Sequence, residues 1–318
     1  MTSPWGTGAE AADRELLDRE LLDAGESARI FRELIVPDQL AGTRQEQPVV
    51  VFVGGQPGDG KATMTALVAA ILRRRSCPVV LNPAAYEPYH PRFYRPIADV
   101  APTPDQGVEA DGQRWYAMAE AYVIEQRYDA IVETEFLDVD AFADSGRRFQ
   151  AAGFQVEVAI LAVTEVLSRL GVLERHLRGL EAYGFARLVP PGVHDAGCAG
   201  VLRAAELIDA GEWADRVAVL RPDGQLLYGN QRTADGQWQG PVRTAEAITY
   251  ERDRPWTVVE SRNFLETASQ TARIGLAAPV QWIRDESVEG GKMVTAMARS
   301  RLHPDAVTLH IATAGQQQ

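Results

Sequence analysis

Lysine is almost missing from this chain. Of 32 basic residues only Lys61 and Lys292 are lysines, and the remainder are arginines. Positive charge is also in deficit overall, the formal net charge being −12. That balance argues against general affinity for nucleic acid, which depends on Lys and Arg neutralising phosphates. Cysteine is equally sparse. Cys77 and Cys198 lie far apart and outside any ligand-type spacing, which excludes a disulfide framework and argues against a cysteine-based metal or redox centre. No apolar run approaches the roughly 20 residues needed to span a bilayer. The beginning of the sequence shows no basic segment followed by an apolar one, so no signal peptide is visible. What is present is ordinary for a soluble protein: 318 residues, 46% hydrophobic and 24% charged, enough to build a sizeable core without staples. The expectation is a cytoplasmic protein without a membrane or nucleic-acid partner.

Residues 1–12 are small and polar and read as a frayed end. Leucines and Phe31 among charges predict a helix over 13–34, punctuated by Pro37. Residues 49–53 form a short, continuous, β-branched run, the pattern of a strand buried on both faces of a parallel sheet. Further strands are expected at 78–81, 128–133, 155–162 and 216–220. Helices are expected between them at 63–75, 114–127, 139–152, 165–182 and about 194–210. Pro222-Asp-Gly224 predicts a hairpin returning through 226–228. Strands spaced by helices of this size predict an α/β, doubly wound, mainly parallel sheet. From about Thr233 the character changes. Two or three helices are expected there, with breaks near Pro255, Pro279 and Gly290-Gly291. The division is thus a core over 1–232 and a helical extension over 233–318 packed on it.

Residues 55–61 read Gly-Gln-Pro-Gly-Asp-Gly-Lys, the spacing Gly-x4-Gly-Lys between a predicted strand and a predicted helix. That context makes the motif specific for a phosphate-binding loop. Gly55, Gly58 and Gly60 let backbone N–H groups curl round phosphates, and the helix N-terminus adds its positive dipole end. Lys61 reaches the β- and γ-phosphates, so a nucleoside triphosphate is the expected ligand, held by Gly55, Gln56, Pro57, Gly58, Gly60, Lys61, Ala62 and Thr63. Two residues depart from a fully equipped loop. Ala62 stands where a Ser or Thr hydroxyl normally meets Mg²⁺, the ion expected with the nucleotide; Thr63, one place on, faces another way. Asp59 puts a carboxylate beside the phosphates, tolerable only if it points to solvent.

Further motifs narrow the class. In order they are Gly54-Gly-Gln-Pro-Gly-Asp-Gly-Lys61, Leu81-Asn-Pro-Ala-Ala-Tyr-Glu-Pro-Tyr-His-Pro91, Ile131-Val-Glu-Thr134, Glu174-Arg175, Ala186-Arg187 and His194-Asp195. The ordered set, over roughly residues 28–228, resembles the zeta toxin family of bacterial toxin–antitoxin kinases. The resemblance implies a P-loop kinase fold and transfer of the γ-phosphoryl group of ATP or GTP to the 3′-hydroxyl of UDP-N-acetylglucosamine. It implies an antitoxin protein as partner as well. Lys61 matches the family's phosphate-binding lysine, and Arg175 and Arg187 match the arginines over the transferring phosphate. Glu133 matches a residue lining the sugar-nucleotide pocket, with Glu135, Tyr86 and His90 as further substrate-side candidates. Each has a plainer reading beside it: a solvated helical arginine, a strand-end carboxylate, a turn-shaping His90 before Pro91, and a helix start at His194-Asp195.

The largest departure is Ala84. The resemblance implies an aspartate there, the base that receives the sugar hydroxyl's proton, and a methyl group accepts none. The resemblance also implies a Thr where Glu135 stands and an Arg near Leu137. Three readings follow: an inactivating substitution introduced at position 84, a relative that binds nucleotide without turning it over, or a rebuilt site in which Glu135 or Glu87 supplies the carboxylate. The function expected is an impaired or altered sugar-nucleotide phosphotransferase. A nucleotide-binding or partner-binding module, or a kinase of another small hydroxyl compound, is the alternative.

Overall fold

The computed structural model describes residues 21–93, 106–183, 186 and 188–306. The predicted frayed end, the beginning of the first helix, the last 12 residues and Arg187 lie outside them. Six strands form one sheet: β1 (Val49–Gly54), β2 (Val79–Leu81), β3 (Ala130–Thr134), β4 (Gln155–Leu161), β5 (Arg216–Leu220) and β6 (Leu226–Gln231), in the order β2-β3-β1-β4-β5-β6. The first five pair in parallel and β6 returns antiparallel to β5. The β1 strand is central, with Val53 opposite Glu133 on one side and Ala159 on the other. All six of its residues are buried, as a continuous apolar run between two helical layers requires.

Alternate residues of β1 enter opposite cores. Val50 and Phe52 face a layer that includes Trp115 and Val123 of α4 (Gln106–Gln126), Phe142 and Phe149 of α5 (Val139–Ala151), and Val201 and Ile208 of α7 (Pro191–Ala210). Val49, Val51 and Val53 face Met64, Ala69 and Leu72 of α3 (Lys61–Leu72). This period-two division makes the sheet doubly wound. Chain direction diverges on either side of β1, so the crevice for ligands opens beyond its carboxyl end.

Several expected boundaries move, among them the helix expected at 114–127, which already begins at Gln106. The α3 helix starts at Lys61 and not at Thr63, because Gly60 (φ +90°) delivers the chain straight into it. Pro37 does not stop the first helix. The α1 segment (Ala24–Ile30) runs through a π-helical turn (Phe31–Ile35) into α2 (Val36–Gln39), and the wider turn makes room for the proline ring against the preceding carbonyls. Gly290-Gly291 lies inside a helix: Gly290 abuts Leu173 of α6 (Glu165–Tyr183), where a Cβ would stand 3.2 Å from the leucine Cδ2.

The extension forms α8 (Thr244–Asp253), α9 (Val258–Ala277) and α10 (Gln281–Ala298), broken at Pro255 and Pro279. Thr257 and Glu260 close a capping box at the start of α9, satisfying two otherwise orphaned N–H groups. Trp256, Phe264, Val294 and Ala298 pack on Val166 and Leu170 of α6, and Ile283 packs on Leu173 and Leu177. No helix among the described residues is long and apolar enough to cross a membrane.

Candidate functional site

The loop 55–61 joins β1 to α3 at the sheet's central carboxyl end. Gly58 (φ +82°) and Gly60 adopt backbone conformations that side-chain-bearing residues rarely take. Gly171 of α6 seats the loop from outside, since a Cβ there would overlap the Gly58 carbonyl. Lys61 is drawn into the loop. Its Nζ donates to the carbonyls of Gly55 (2.8 Å) and Gln56 (3.0 Å) and to Asp59 Oδ1 (3.1 Å). Ala62 and Thr63 are exposed on the first turn of α3.

Asp59 does not point to solvent. Its side chain is 1% exposed and turned into the loop, where Oδ1 accepts from both the backbone N–H and the ammonium of Lys61. Oδ2 has no hydrogen-bond partner among the described residues. It lies against Gly55, whose lack of a Cβ leaves the space. Burial pushes the Asp59 carboxyl above the ordinary aspartate range, and Lys61 offsets part of that cost. The carboxylate thus accepts the kind of N–H donors that a phosphate takes in such a loop.

Gln56 and Pro57 are buried. The Gln56 amide donates to the Val163 carbonyl (2.8 Å) and Ser168 Oγ (3.2 Å), and its Oε1 accepts from Arg252 (2.7 Å). Ser168 also meets His194 Nε2 at 2.8 Å. His194 is therefore a buried support behind the loop, with its pKa lowered by burial and by nearby Arg169. Glu165, His194 and Asp195 approach one another closely, but Arg169 bridges the two carboxylates and supplies the cation there.

On the acceptor side, Glu133 at the end of β3 receives 2.5 Å hydrogen bonds from Thr65 on α3 and Asn82 beyond β2. Asn82 in turn caps the 3₁₀ turn Pro83–Ala85, accepting from the Ala84 N–H. The position lacking a carboxylate is thereby tied through two side chains to the helix carrying Lys61. Ala84 itself is exposed. Glu135 lies nearer the lysine, its Oε1 3.8 Å from Lys61 Nζ, with a third of its side chain exposed. Glu87 sits apart, its Cγ against Gly112 of α4. Tyr86 is fully buried, and burial raises its phenol pKa beyond the usual tyrosine range. His90 is buried against Asp111 (3.3 Å), and its Nδ1 accepts the Arg92 N–H. Both side chains hold the 82–92 segment onto α4 and present no surface to the crevice.

Arg175 is exposed one helical turn beyond Gly171. It lines an open cleft of about 510 Å³ with Glu174, Arg178 and Tyr183. It has no carboxylate partner among the described residues, whereas neighbouring Arg178 is paired with Glu174 (2.9 Å). Arg187 is outside the described residues.

Four residues of the site, Thr65, Asn82, Ser168 and Arg252, are not among those expected from the sequence. Thr65 follows Lys61 by one helical turn, a spacing that could have flagged it. Asn82 stands inside a quoted motif, but only the parallel register of β2 and β3 brings it to Glu133. Arg252 carries no local signal.

Residues 35–233, more than half of the chain, match the family model described as zeta toxin. Toxin zeta of Streptococcus pyogenes is 23% identical over 190 residues, which cover 59% of this chain and 65% of that protein. Toxin zeta of Enterococcus hirae is 22% identical with the same coverage. The match thus spans about 65% of the length of these relatives. A solved structure from the PezAT chromosomal toxin–antitoxin system of Streptococcus pneumoniae shares the fold, with a TM-score of 0.68 and 14% identity, over 81% of this chain and all of that one. With this architecture, this loop and a matched span of that extent, the chain belongs to the zeta toxin family.

Proposed function

We propose that the chain is a phosphotransferase of zeta type that holds ATP or GTP in the 55–61 loop and passes the γ-phosphoryl group slowly to the 3′-hydroxyl of UDP-N-acetylglucosamine. The observation that carries this reading is the enclosed loop with Lys61 inside it, opening toward Glu133, Glu135 and the Ala84 turn. Phosphoryl transfer asks a protein chiefly for position and charge stabilisation. Lys61 supplies fixed positive charge, and Arg175, exposed one helical turn beyond the Gly171 that seats the loop, is the candidate for a second cation. Glu133 and Asn82 orient the acceptor. Ala84 accepts no proton, which is why transfer is slow.

The donor set available to a magnesium ion consists of carboxylates, since Ala62 offers a methyl. Glu133 is already engaged by two donors, so Glu135, partly exposed beside Lys61, is the residue best suited to hold the ion directly or through water. Such an ion, bound with the nucleotide, neutralises charge on the phosphates. Incubation with ATP or GTP, Mg²⁺ and UDP-N-acetylglucosamine, followed by mass spectrometry of the sugar nucleotide, tests the proposal. A phosphorylated product whose yield rises in Ala84→Asp supports it. No product from either protein, with nucleotide bound, sinks it.

Asp59 favours a second reading, in which the chain binds nucleotide or a partner without turnover. Its carboxylate already takes the loop's donors, so nucleotide must displace it. Calorimetric ATP binding without hydrolysis or transfer is the expected result under that reading. We further propose a cytoplasmic location and an antitoxin partner covering the crevice. Co-expression with the adjacent open reading frame and co-purification checks the latter.

A further inference from the structure

We infer that Arg252, in the extension beyond the family-matched span, is a positioning residue for the phosphate loop, so that the C-terminal helices are a working part of the nucleotide site. The inference rests on the nucleotide-binding reading above and deepens it.

Arg252 lies in the last turn of α8 and reaches in behind the loop. Its three donor nitrogens meet three separate parts of the core. Nε donates to the carbonyl of Val163 just past β4 (3.1 Å), Nη1 to the carbonyl of Cys198 in α7 (3.1 Å), and Nη2 to Gln56 Oε1 (2.7 Å). The Val163 carbonyl is shared, because Gln56 Nε2 donates to it as well. Gln56 is fully buried with both ends of its amide engaged, and its own carbonyl accepts from Lys61 Nζ. A rigid path therefore runs from the guanidinium through Gln56 to the lysine that meets phosphate. Arg301, just beyond α10, donates to the Arg252 carbonyl and ties that turn of α8 to the segment following α10.

Two features distinguish this arrangement from an ordinary structural arginine. The planar fork is fitted to three acceptors at once, a geometry that a lysine cannot reproduce. All three acceptors are neutral, and no ion pair of Arg252 is found among the described residues, although the carboxylates of Glu165 and Asp253 act on it from a longer range. Asp59, inside the loop, is near enough to act on it electrostatically. A positive charge held in low dielectric behind the loop favours any anion bound on the loop's open side. Its effect must therefore grow with the number of phosphates on the ligand.

The experiment compares the wild-type chain with Arg252→Lys and Arg252→Met by calorimetric titration with ATP, ADP and AMP, alongside thermal melts. Wild-type binding of ATP is the prior condition, and its absence refutes the nucleotide reading and this one with it. With wild-type binding in hand, Arg252→Lys keeps a charge but loses the fork. Its ATP affinity is expected to fall about tenfold while the thermal melt stays cooperative. Arg252→Met, which removes the charge as well, is expected to lose more, most for ATP, less for ADP and least for AMP. If Arg252→Met fails to fold, the lysine variant alone decides. Unchanged ATP affinity in folded Arg252→Lys overturns the inference. Equal losses for ATP, ADP and AMP in folded Arg252→Met overturn it too, because they reduce the arginine to a general support.

Discussion

Replacing Asp59 by serine should tighten nucleotide binding, the reverse of what substitution inside a binding loop normally does. The Asp59 carboxylate is buried, paired with Lys61 at 3.1 Å, and left with one unpartnered oxygen. A nucleotide phosphate brought among the same donors meets that negative charge and competes for the same ammonium. Two unit charges about 4 Å apart at an effective dielectric near 20 interact by about 4 kcal/mol. Swinging the side chain outward relieves part of this, at the cost of its bonds to Lys61. A net penalty of roughly 2–4 kcal/mol corresponds to about 30- to 1000-fold in affinity. The assay is calorimetric titration of ATP with Mg²⁺ into the wild type, Asp59→Ser and Asp59→Asn. Its dependence on pH follows from the raised pKa. The folded chain holds this proton more tightly than the unfolded chain, so the cost of ionisation is absent below the ordinary value of 3.8. That cost grows as pH rises toward the folded value and is complete above it. For binding, the reference is the free folded chain: wild-type affinity should approach that of Asp59→Ser as pH falls below the raised folded value and the carboxyl is protonated before nucleotide arrives, and the ratio of the two cancels protonation of the nucleotide itself. Affinities that coincide at neutral pH would refute the reasoning, since they would show that the carboxylate leaves the loop at no cost.

Other outcomes are expected from the same geometry. Lys61→Ala should lower ATP affinity at least tenfold in equilibrium titration, because it removes the one ammonium in the loop. Gly171→Val should displace Gly58, weakening ATP binding and lowering the melting temperature by several degrees, read by thermal melts with and without nucleotide. Glu260→Gln should cost up to about 1 kcal/mol at neutral pH through loss of the Arg254 ion pair, since a glutamine oxygen can still close the capping box with Thr257. Hydrogen bonding to Arg254 holds the Glu260 pKa down to about 2, so this stability is present above the unfolded value of 4.5 and is lost as pH falls toward 2. Denaturant melts at pH 7 and pH 2.5 check the sign.

The sheet was legible in the sequence because its signals are local. The run 49–53 needs burial on both faces whatever surrounds it, and Gly58, Gly60 and Lys61 encode a loop geometry within a few residues. Helix limits were less so. The π-helical turn before Pro37 and the contact of Gly290 with Leu173 depend on what packs nearby, and a glycine pair alone does not say whether it breaks a helix or admits a neighbour.

The same division runs through the site. By itself the sequence determined that phosphates have a place here, and that a hydroxyl at position 62 and a carboxylate at position 84 are missing, because residue identity is chemistry. Only the tertiary structure decided where the remaining groups point. Asp59 turns inward because Gly55 and Lys61 leave it space and a partner. Glu133 meets Thr65 and Asn82 because parallel register aligns two strand ends. Arg252 reaches Gln56 across 196 residues because α8 is pinned between the core and the segment that follows α10. Hydrogen bonds act over about 3 Å whatever the sequence separation, so such partners become visible only once the chain is folded.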